Sequence, residues 1–237
     1  ITGMYQSPVC YACSMNADTF IDFKSKTDAP IIEAFKNIVK DSGTNKVIFI
    51  HLIGSHFAYN NRYPENFETF GGDKREQGTT QEVENASEAA KYERKKSATI
   101  DSYDNSILFG DYILHQLIEA LRTTGNSSFL VFFSDHGEEV YEDGGTFLGH
   151  NSGLYPTKYR VKVPFVLWRS QKYMEEVPEI VLDTARPYNN EDFIHSLGTL
   201  MRLNYPALDS SRSIFSPYFK VRPRIVQNKP FELLNEH

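Results

Sequence analysis

A carboxylate and an imidazole stand side by side at Asp135 and His136, between Ser134 and Gly137, with Glu138 next and the apolar run Phe129–Phe133 just before them. The pair offers a hard oxygen and an imidazole nitrogen, which suits Zn²⁺ or Mn²⁺ better than Ca²⁺ or Mg²⁺. Five apolar residues are too few for a helix and enough for a strand buried on both faces, so the pair falls at the carboxyl end of a strand, where open α/β sheets hold ligands. Taken alone, Asp-His-Gly is an ordinary polar turn. A second stretch changes the reading: His51, His56, Tyr59, Arg62 and Tyr63 leave another apolar run, 46–52, across Gly54. Such a loop can hold a phosphate through charge-assisted and bidentate hydrogen bonds. His51 lies in the apolar run and by itself reads as a structural histidine, whereas His56, past the glycine, is placed to ligate or to move a proton. A third histidine, His150, ends a loop bearing Gly144, Gly145 and Gly149, which returns the chain towards Asp135 and His136.

The elements that must position these residues follow from periodicity. Asp28 reads as an N-cap and Pro30 as a first-turn residue for a helix burying Ile31, Ile32, Phe35, Ile38 and Val39 and ending near Gly43. The run 46–52 then reads as a strand. Residues 71–96 are polar, a surface loop passing into a charged helical face with alternating signs. From Ile100 the helix turns amphipathic, with Tyr103, Ile107, Leu108, Ile113, Leu114, Leu117, Ile118 and Leu121 predicted to pack on the sheet, and it ends at Gly125. His115 falls on its polar side. Residues 161–168 read as a strand with Pro164 at an edge or bulge. Residues 189–192 cap a last helix with Phe193, Ile194, Leu197, Leu200 and Met201 as its apolar face, and the tail is irregular.

Composition bounds the rest. At 237 residues and 40% hydrophobic content the chain can bury one full core. Its 25 basic and 31 acidic residues, net −6, give no electrostatic footprint for nucleic acid and no strong attraction to an anionic membrane. No apolar run approaches the ~20 residues of a membrane span. The start, at Ile1, is neither a signal peptide nor an evident natural terminus, so a fragment is expected. Cys10 and Cys13 are the two cysteines. With no second pair and no βαβ context, they read as a structural disulfide, with each other or with another segment, in an oxidising compartment.

The ordered set from His51 to Pro64, then Tyr103 to Ile107, then Ser134 to Glu138, then Gly149 and His150 before the stretch 163–168, resembles the phosphoethanolamine transferases. These are inner-membrane enzymes of Gram-negative bacteria with a periplasmic, sulfatase-like catalytic domain of the alkaline phosphatase superfamily. The resemblance runs from about Pro30 to Phe215. It implies an α/β fold, with a mixed, mostly parallel sheet sandwiched by helices. It also implies that Asp135 and His136 are zinc ligands. Glu138 matches the acidic residue of the same motif, and His56 and His150 match histidines that face the phosphoryl group or a second zinc. His51, Tyr59 and Arg62 are then expected to contact substrate. The family's chemistry is a two-step transfer in which a threonine takes phosphoethanolamine from phosphatidylethanolamine and passes it to a hydroxyl of lipopolysaccharide, on a core sugar or lipid A.

The sequence departs from the family pattern in one respect. The nucleophilic Thr and a zinc-binding Glu belong to a part of the domain upstream of these motifs, and no threonine here stands in that context. The expectation is a C-terminal portion, 1–237, of the catalytic domain. Its membrane helices and nucleophile segment would lie outside the chain, which would transfer nothing by itself. A sulfatase would mature its nucleophile from Cys or Ser in C-x-P-x-R, and neither Cys10 nor Cys13 is followed by that pattern. A phosphoglycerol transferase of the same superfamily and a non-catalytic zinc-binding domain are the remaining alternatives.

Overall fold

The computed structural model describes residues 17–41, 43, 45–71, 87–150 and 156–234. Cys10 and Cys13, and most of the polar loop after Gly71, lie outside the described residues. The chain divides into two compact units, one formed by Ile1–Asn126 with Glu139–Gly149, the other by Ser127–Glu138 with His150–His237.

The first unit is built on two helices. Helix α1, Ala29–Lys40, buries Ile31, Ile32 and Phe35. Asp28 stands at its cap position, but its carboxylate makes no capping bond there. It accepts instead from the backbone N–H groups of Ile53 and Gly54, both at 2.9 Å, and so ties the start of the helix to the loop carrying His56. Burial pushes the Asp28 carboxyl above its usual range, against those two bonds and the positive field of Arg62 and His51. Helix α2, Glu88–Thr124, starts where Ser87 Oγ accepts from Ala90 N and stops at Gly125, whose φ of 65° is left-handed.

The buried ridge of α2 is Asn105, Ser106, Phe109, Ile113, Leu117 and Ala120, while Ile107 is 48% exposed, so the face expected from apolar spacing is rotated. Asn105 explains the rotation. Its Oδ1 accepts from Thr69 N and Phe70 N at 2.8 and 2.9 Å and its Nδ2 donates to Phe70 O at 3.1 Å, so a polar side chain is buried without penalty. Within this unit α2 packs on α1, on the turns Tyr59–Asn61 and Glu65–Phe67, and on the strand Glu139–Val140.

The run 46–52 is no strand, and His51 is its one bridge residue. Val47 and Phe49 are 58% and 61% exposed. An apolar run becomes a strand when a neighbour supplies the ladder, and its own composition does not encode that neighbour. A hairpin completes the unit, β2 (Glu139–Val140) against β3 (Leu148–Gly149). Lys96 Nζ braces it from α2, donating to Gly145 O at 3.0 Å.

The second unit is organised by β1, Phe129–Phe133, antiparallel to β4, Phe165–Arg169, with Phe129 opposite Arg169 and Phe133 opposite Phe165. Alternate residues Phe129, Val131, Phe165 and Leu167 pack on a core of Tyr173, Val177, Ile180, Leu200 and Phe215, the two-residue period of a half-buried sheet. Both strands are therefore intermediate in burial rather than covered on two faces. Residues 158–161 form a short helix, α3 (Lys158–Val161), and β4 begins just after Pro164, which has no N–H to give a ladder. Ser170 joins sheet to helix. Its Oγ accepts from Ser128 N at 3.0 Å and from Tyr173 N at 3.1 Å, capping α4 (Gln171–Glu176). Burial raises the Tyr173 phenol to about 12, and its hydroxyl donates to Leu200 O at 2.5 Å.

The last helix, α5 (Phe193–Leu200), buries His195, Ser196, Gly198 and Leu200 and leaves Ile194 57% exposed, again a rotation from the apolar count. Ser196 Oγ bonds Tyr188 Oη at 2.7 Å and accepts from Ile214 N at 3.2 Å, and Gly198 lets Tyr205 and Leu208 approach closely. The tail is more regular than expected, with a hairpin of β5 (Ile225–Val226) and β6 (Lys229–Pro230) closed by Gln227 and Asn228 at positive φ. Every strand pair among the described residues is antiparallel, so the mostly parallel sheet expected is not what they form. The mixed α/β class stands.

Candidate metal centre

Strand β1 ends at Phe133 and the chain turns at once. Ser134 Oγ donates to His136 O at 2.8 Å, Asn190 Nδ2 donates to Ser134 O at 3.3 Å, and Gly137 N donates to Arg160 O at 2.8 Å. A side chain at residue 137 would place its Cβ 2.1 Å from Tyr159 O, so only glycine fits between the turn and α3. This close approach fixes where the flanking His136 and Glu138 emerge. On the other side, the β2–β3 ladder sets Glu139 opposite Gly149, which makes Glu138 and His150 the next residues out on the two strands.

The result is a cluster of His136, Glu138 and His150 whose ligand atoms all lie within 4.8 Å of one another. Glu138 Oε2 is 2.7 Å from His150 Nδ1 and 3.9 Å from His136 Nδ1. The two imidazoles stack, with centroids 3.7 Å apart and planes at 29°. His136 Nδ1 lies 2.9 Å from Gly137 O, an atom that can only accept, so that nitrogen carries the proton. His150 Nδ1 faces a carboxylate and donates to it in the same way. In the neutral rings both Nε2 atoms then present lone pairs. The Glu138 side chain is only 10% exposed, against 40% for His136 and 30% for His150.

Asp135 is not in this cluster. Its side chain is 84% exposed, with Oδ1 accepting from His136 N at 3.1 Å and lying 3.8 Å from His136 Nε2.

The remaining candidates belong to the first unit. His56 is exposed, with Nδ1 3.4 Å from Phe57 O, and His51 is half-buried. Ala58, at a left-handed φ of 64°, turns Tyr59 inward. Tyr59 is 3% exposed and packs edge-on against Tyr103 at 5.2 Å, as part of that unit's core. Arg62 braces its own loop, with Nε, Nη2 and Nη1 donating to the carbonyls of His56, Phe57 and Lys26 at 3.0, 2.8 and 3.3 Å.

The family model described as Sulfatase matches residues 5–203. The chain belongs to the sulfatase family. Among its sulfatase-fold relatives is the phosphoethanolamine transferase EptC of Escherichia coli, 33% identical over 205 residues, which are 85% of this chain and 33% of that protein. The phosphoethanolamine transferase CptA of Salmonella typhimurium is 34% identical over 202 residues, with the same two shares of 85% and 33%. The C-terminal periplasmic domain of EptC from Escherichia coli, solved in complex with Zn, superposes with a TM-score of 0.77 at 26% identity over 98% of this chain and 68% of that one. The resemblance to phosphoethanolamine transferases and the sulfatase-like fold are thus borne out. The chain spans about a third of the length of the curated relatives it matches.

Two imidazole nitrogens and a carboxylate on a partly open surface are the donor set of three-ligand zinc sites, so the residues of this sulfatase domain fit the metal. Sequence adjacency revealed Asp135 and His136. The meeting of Glu138 with His150 depends on the β2–β3 pairing, whose one visible signal is the turn composition around Gly144 and Gly145.

Proposed function

We propose that this chain is the metal-binding part of a zinc-dependent transferase that moves phosphoethanolamine from phosphatidylethanolamine to a hydroxyl of lipopolysaccharide, on a core sugar or lipid A. The reaction runs through a phospho-threonine, at the periplasmic face of the inner membrane, to which the whole protein is anchored. The observation that carries this reading is the donor cluster of His136, Glu138 and His150, in a chain 33% identical over 205 residues to a phosphoethanolamine transferase. No helix among the described residues is long and apolar enough to cross a membrane, so anchoring is assigned to another segment.

Zinc, when bound, lowers the pKa of an attacking oxygen and offsets charge developing on phosphorus. The chain's own residues orient and hold. His136 is locked by Gly137 O with Nε2 outward, and Asp135 offers an oxygen near the same nitrogen. Glu138 holds the Nδ1 proton of His150 and keeps that ring's Nε2 available. His56 is assigned contact with the phosphoryl group, and His51, Tyr59 and Arg62 the shaping of the substrate loop. With no threonine in the nucleophile context, the 237-residue chain alone catalyses no transfer.

Cells expressing the full-length protein test the reading, with lipopolysaccharide analysed by mass spectrometry and donor lipids quantified. Phosphoethanolamine addition with consumption of phosphatidylethanolamine, lost in Asp135→Ala and His136→Ala, is expected. Consumption of phosphatidylglycerol would make it a phosphoglycerol transferase, and arylsulfate hydrolysis a sulfatase. Full activity in Asp135→Ala and His136→Ala would leave the domain a non-catalytic zinc binder.

A further inference from the structure

A buried carboxylate outside the donor cluster, Asp192, anchors a turn that reaches the strand end from which the donors emerge. Asp192 is 3% exposed and accepts from Arg212 Nε and Arg222 Nη1, at 2.6 Å each. Burying such an ion cluster adds little stability over apolar packing, and its better use is to fix geometry. What it fixes here is the turn Asn190–Asp192, which leads into α5 and is closed by Asp192 N donating to Asn189 O at 3.0 Å.

This turn grips the end of β1 at two points. Phe193, the next residue, packs edge-on against Phe133 with ring centroids 4.7 Å apart, and Asn190 Nδ2 donates to Ser134 O at 3.3 Å. Ser134 passes the constraint on. Its carbonyl is held by Asn190 while its hydroxyl donates to His136 O at 2.8 Å, so the peptides that precede Asp135 and follow His136 are both pinned. With Nδ1 2.9 Å from Gly137 O, the His136 ring then presents Nε2 in one direction. Without the Asn190 amide, the half-buried Ser134 carbonyl would turn towards water, and rotation of its peptide would carry Asp135 and His136 with it. Metal donors act only where the groups behind them hold them in place.

We infer that Asn190 is a positioning residue of the metal centre: held by Asp192 with Arg212 and Arg222, its amide fixes the Ser134 peptide and so the direction of His136. The inference rests on the reading of His136 as a zinc ligand. It makes zinc affinity depend on Asn190, Arg212 and Arg222, all distant from His136 in sequence.

Competition for zinc with a chromophoric chelator tests it on the purified chain, with Co²⁺ as a second probe whose visible spectrum reports ligand geometry. Asn190→Asp keeps the shape of the side chain and loses the donor. It should lower zinc affinity about tenfold and alter the Co²⁺ spectrum, as should Ser134→Ala, while Ser134→Thr, which keeps the hydroxyl, should bind like the parent. Arg222→Ala should weaken zinc binding about threefold in the parent and add nothing to Asn190→Asp, because both act along one path. Should Asn190→Asp not fold, the contrast between Ser134→Ala and Ser134→Thr and the effect of Arg222→Ala alone carry the decision. Urea unfolding is followed alongside. Lower stability in Asn190→Asp with parent-like zinc affinity and Co²⁺ spectrum would make the bond purely structural and overturn the inference, as would additive effects of Arg222→Ala and Asn190→Asp. A parent that binds no zinc, or binds it equally well as His136→Ala, would overturn the metal centre itself and this inference with it.

Discussion

Replacing Glu138 separates a working metal centre from three polar side chains that merely meet. Its Oε2 is 2.7 Å from His150 Nδ1 and 3.9 Å from His136 Nδ1, and the side chain is 10% exposed, so solvent cannot take its place. In Glu138→Gln the amide oxygen can still accept from His150, which keeps the tautomer but removes the negative charge. In Glu138→Ala the acceptor goes as well, and His150 Nδ1 is left without a partner that fixes the ring. Residues that orient a metal-binding histidine each contribute about 10–100-fold in metal affinity, or about 1.4–2.7 kcal/mol. The structure places Glu138→Gln near the lower figure, since one of two functions survives. It places Glu138→Ala at or beyond the upper one. Competition for zinc with a chromophoric chelator at constant pH measures both, with circular dichroism to show that the fold is retained. Parent-like zinc affinity in Glu138→Ala would refute the reasoning, because a carboxylate that neither ligates nor orients leaves the cluster without a function.

Two further perturbations probe what holds the sites in place. Gly137→Ala drives a Cβ to 2.1 Å from Tyr159 O, a backbone atom that cannot rotate away. It should cost about 3 kcal/mol or more in urea unfolding followed by Trp168 fluorescence, and weaken zinc binding with it; parent-like stability would show that the turn has room. Asp28→Ala orphans the N–H groups of Ile53 and Gly54 and should cost about 2–4 kcal/mol by circular dichroism. Asp28→Asn, which still accepts one of them, should cost about 1–2 kcal/mol. The Asp28 carboxyl has a folded pKa raised above 3.8, chiefly by burial, so its contribution to stability is fully present below that value and is lost as pH rises through the folded pKa. Asp28→Asn should therefore remove a fall in stability that the parent shows on going from acid towards neutral pH, and parallel profiles for the two would contradict the burial argument.

Adjacency was legible in the sequence and long-range pairing was not. Phe129–Phe133 reads as a strand because its apolar run is contiguous, and α2 reads as one long helix because Gly125 stops it where the pattern ends. The buried faces of α2 and α5 were misjudged by counting apolar residues. Asn105 and Ser196 are interior because their hydrogen bonds are satisfied there, a property of partners distant in sequence. The run 46–52 failed as a strand for the same kind of reason, since no residue in it specifies a neighbour. The metal centre shows both regimes within a few residues. Of the adjacent pair Asp135 and His136 only His136 joins the cluster, whereas Glu138 becomes a partner of His150 only through a ladder of two residue pairs, too short to leave a two-residue period. Tyr59 and Arg62 looked like binding residues because they are polar and lie in a loop. Yet Tyr59 turns into the core after a left-handed Ala58, and Arg62 closes the loop on its own carbonyls. A loop that must hold a histidine at a fixed place needs such internal bracing. That is why residues of binding type in a sequence can prove to be the frame of a site, with the donors themselves elsewhere.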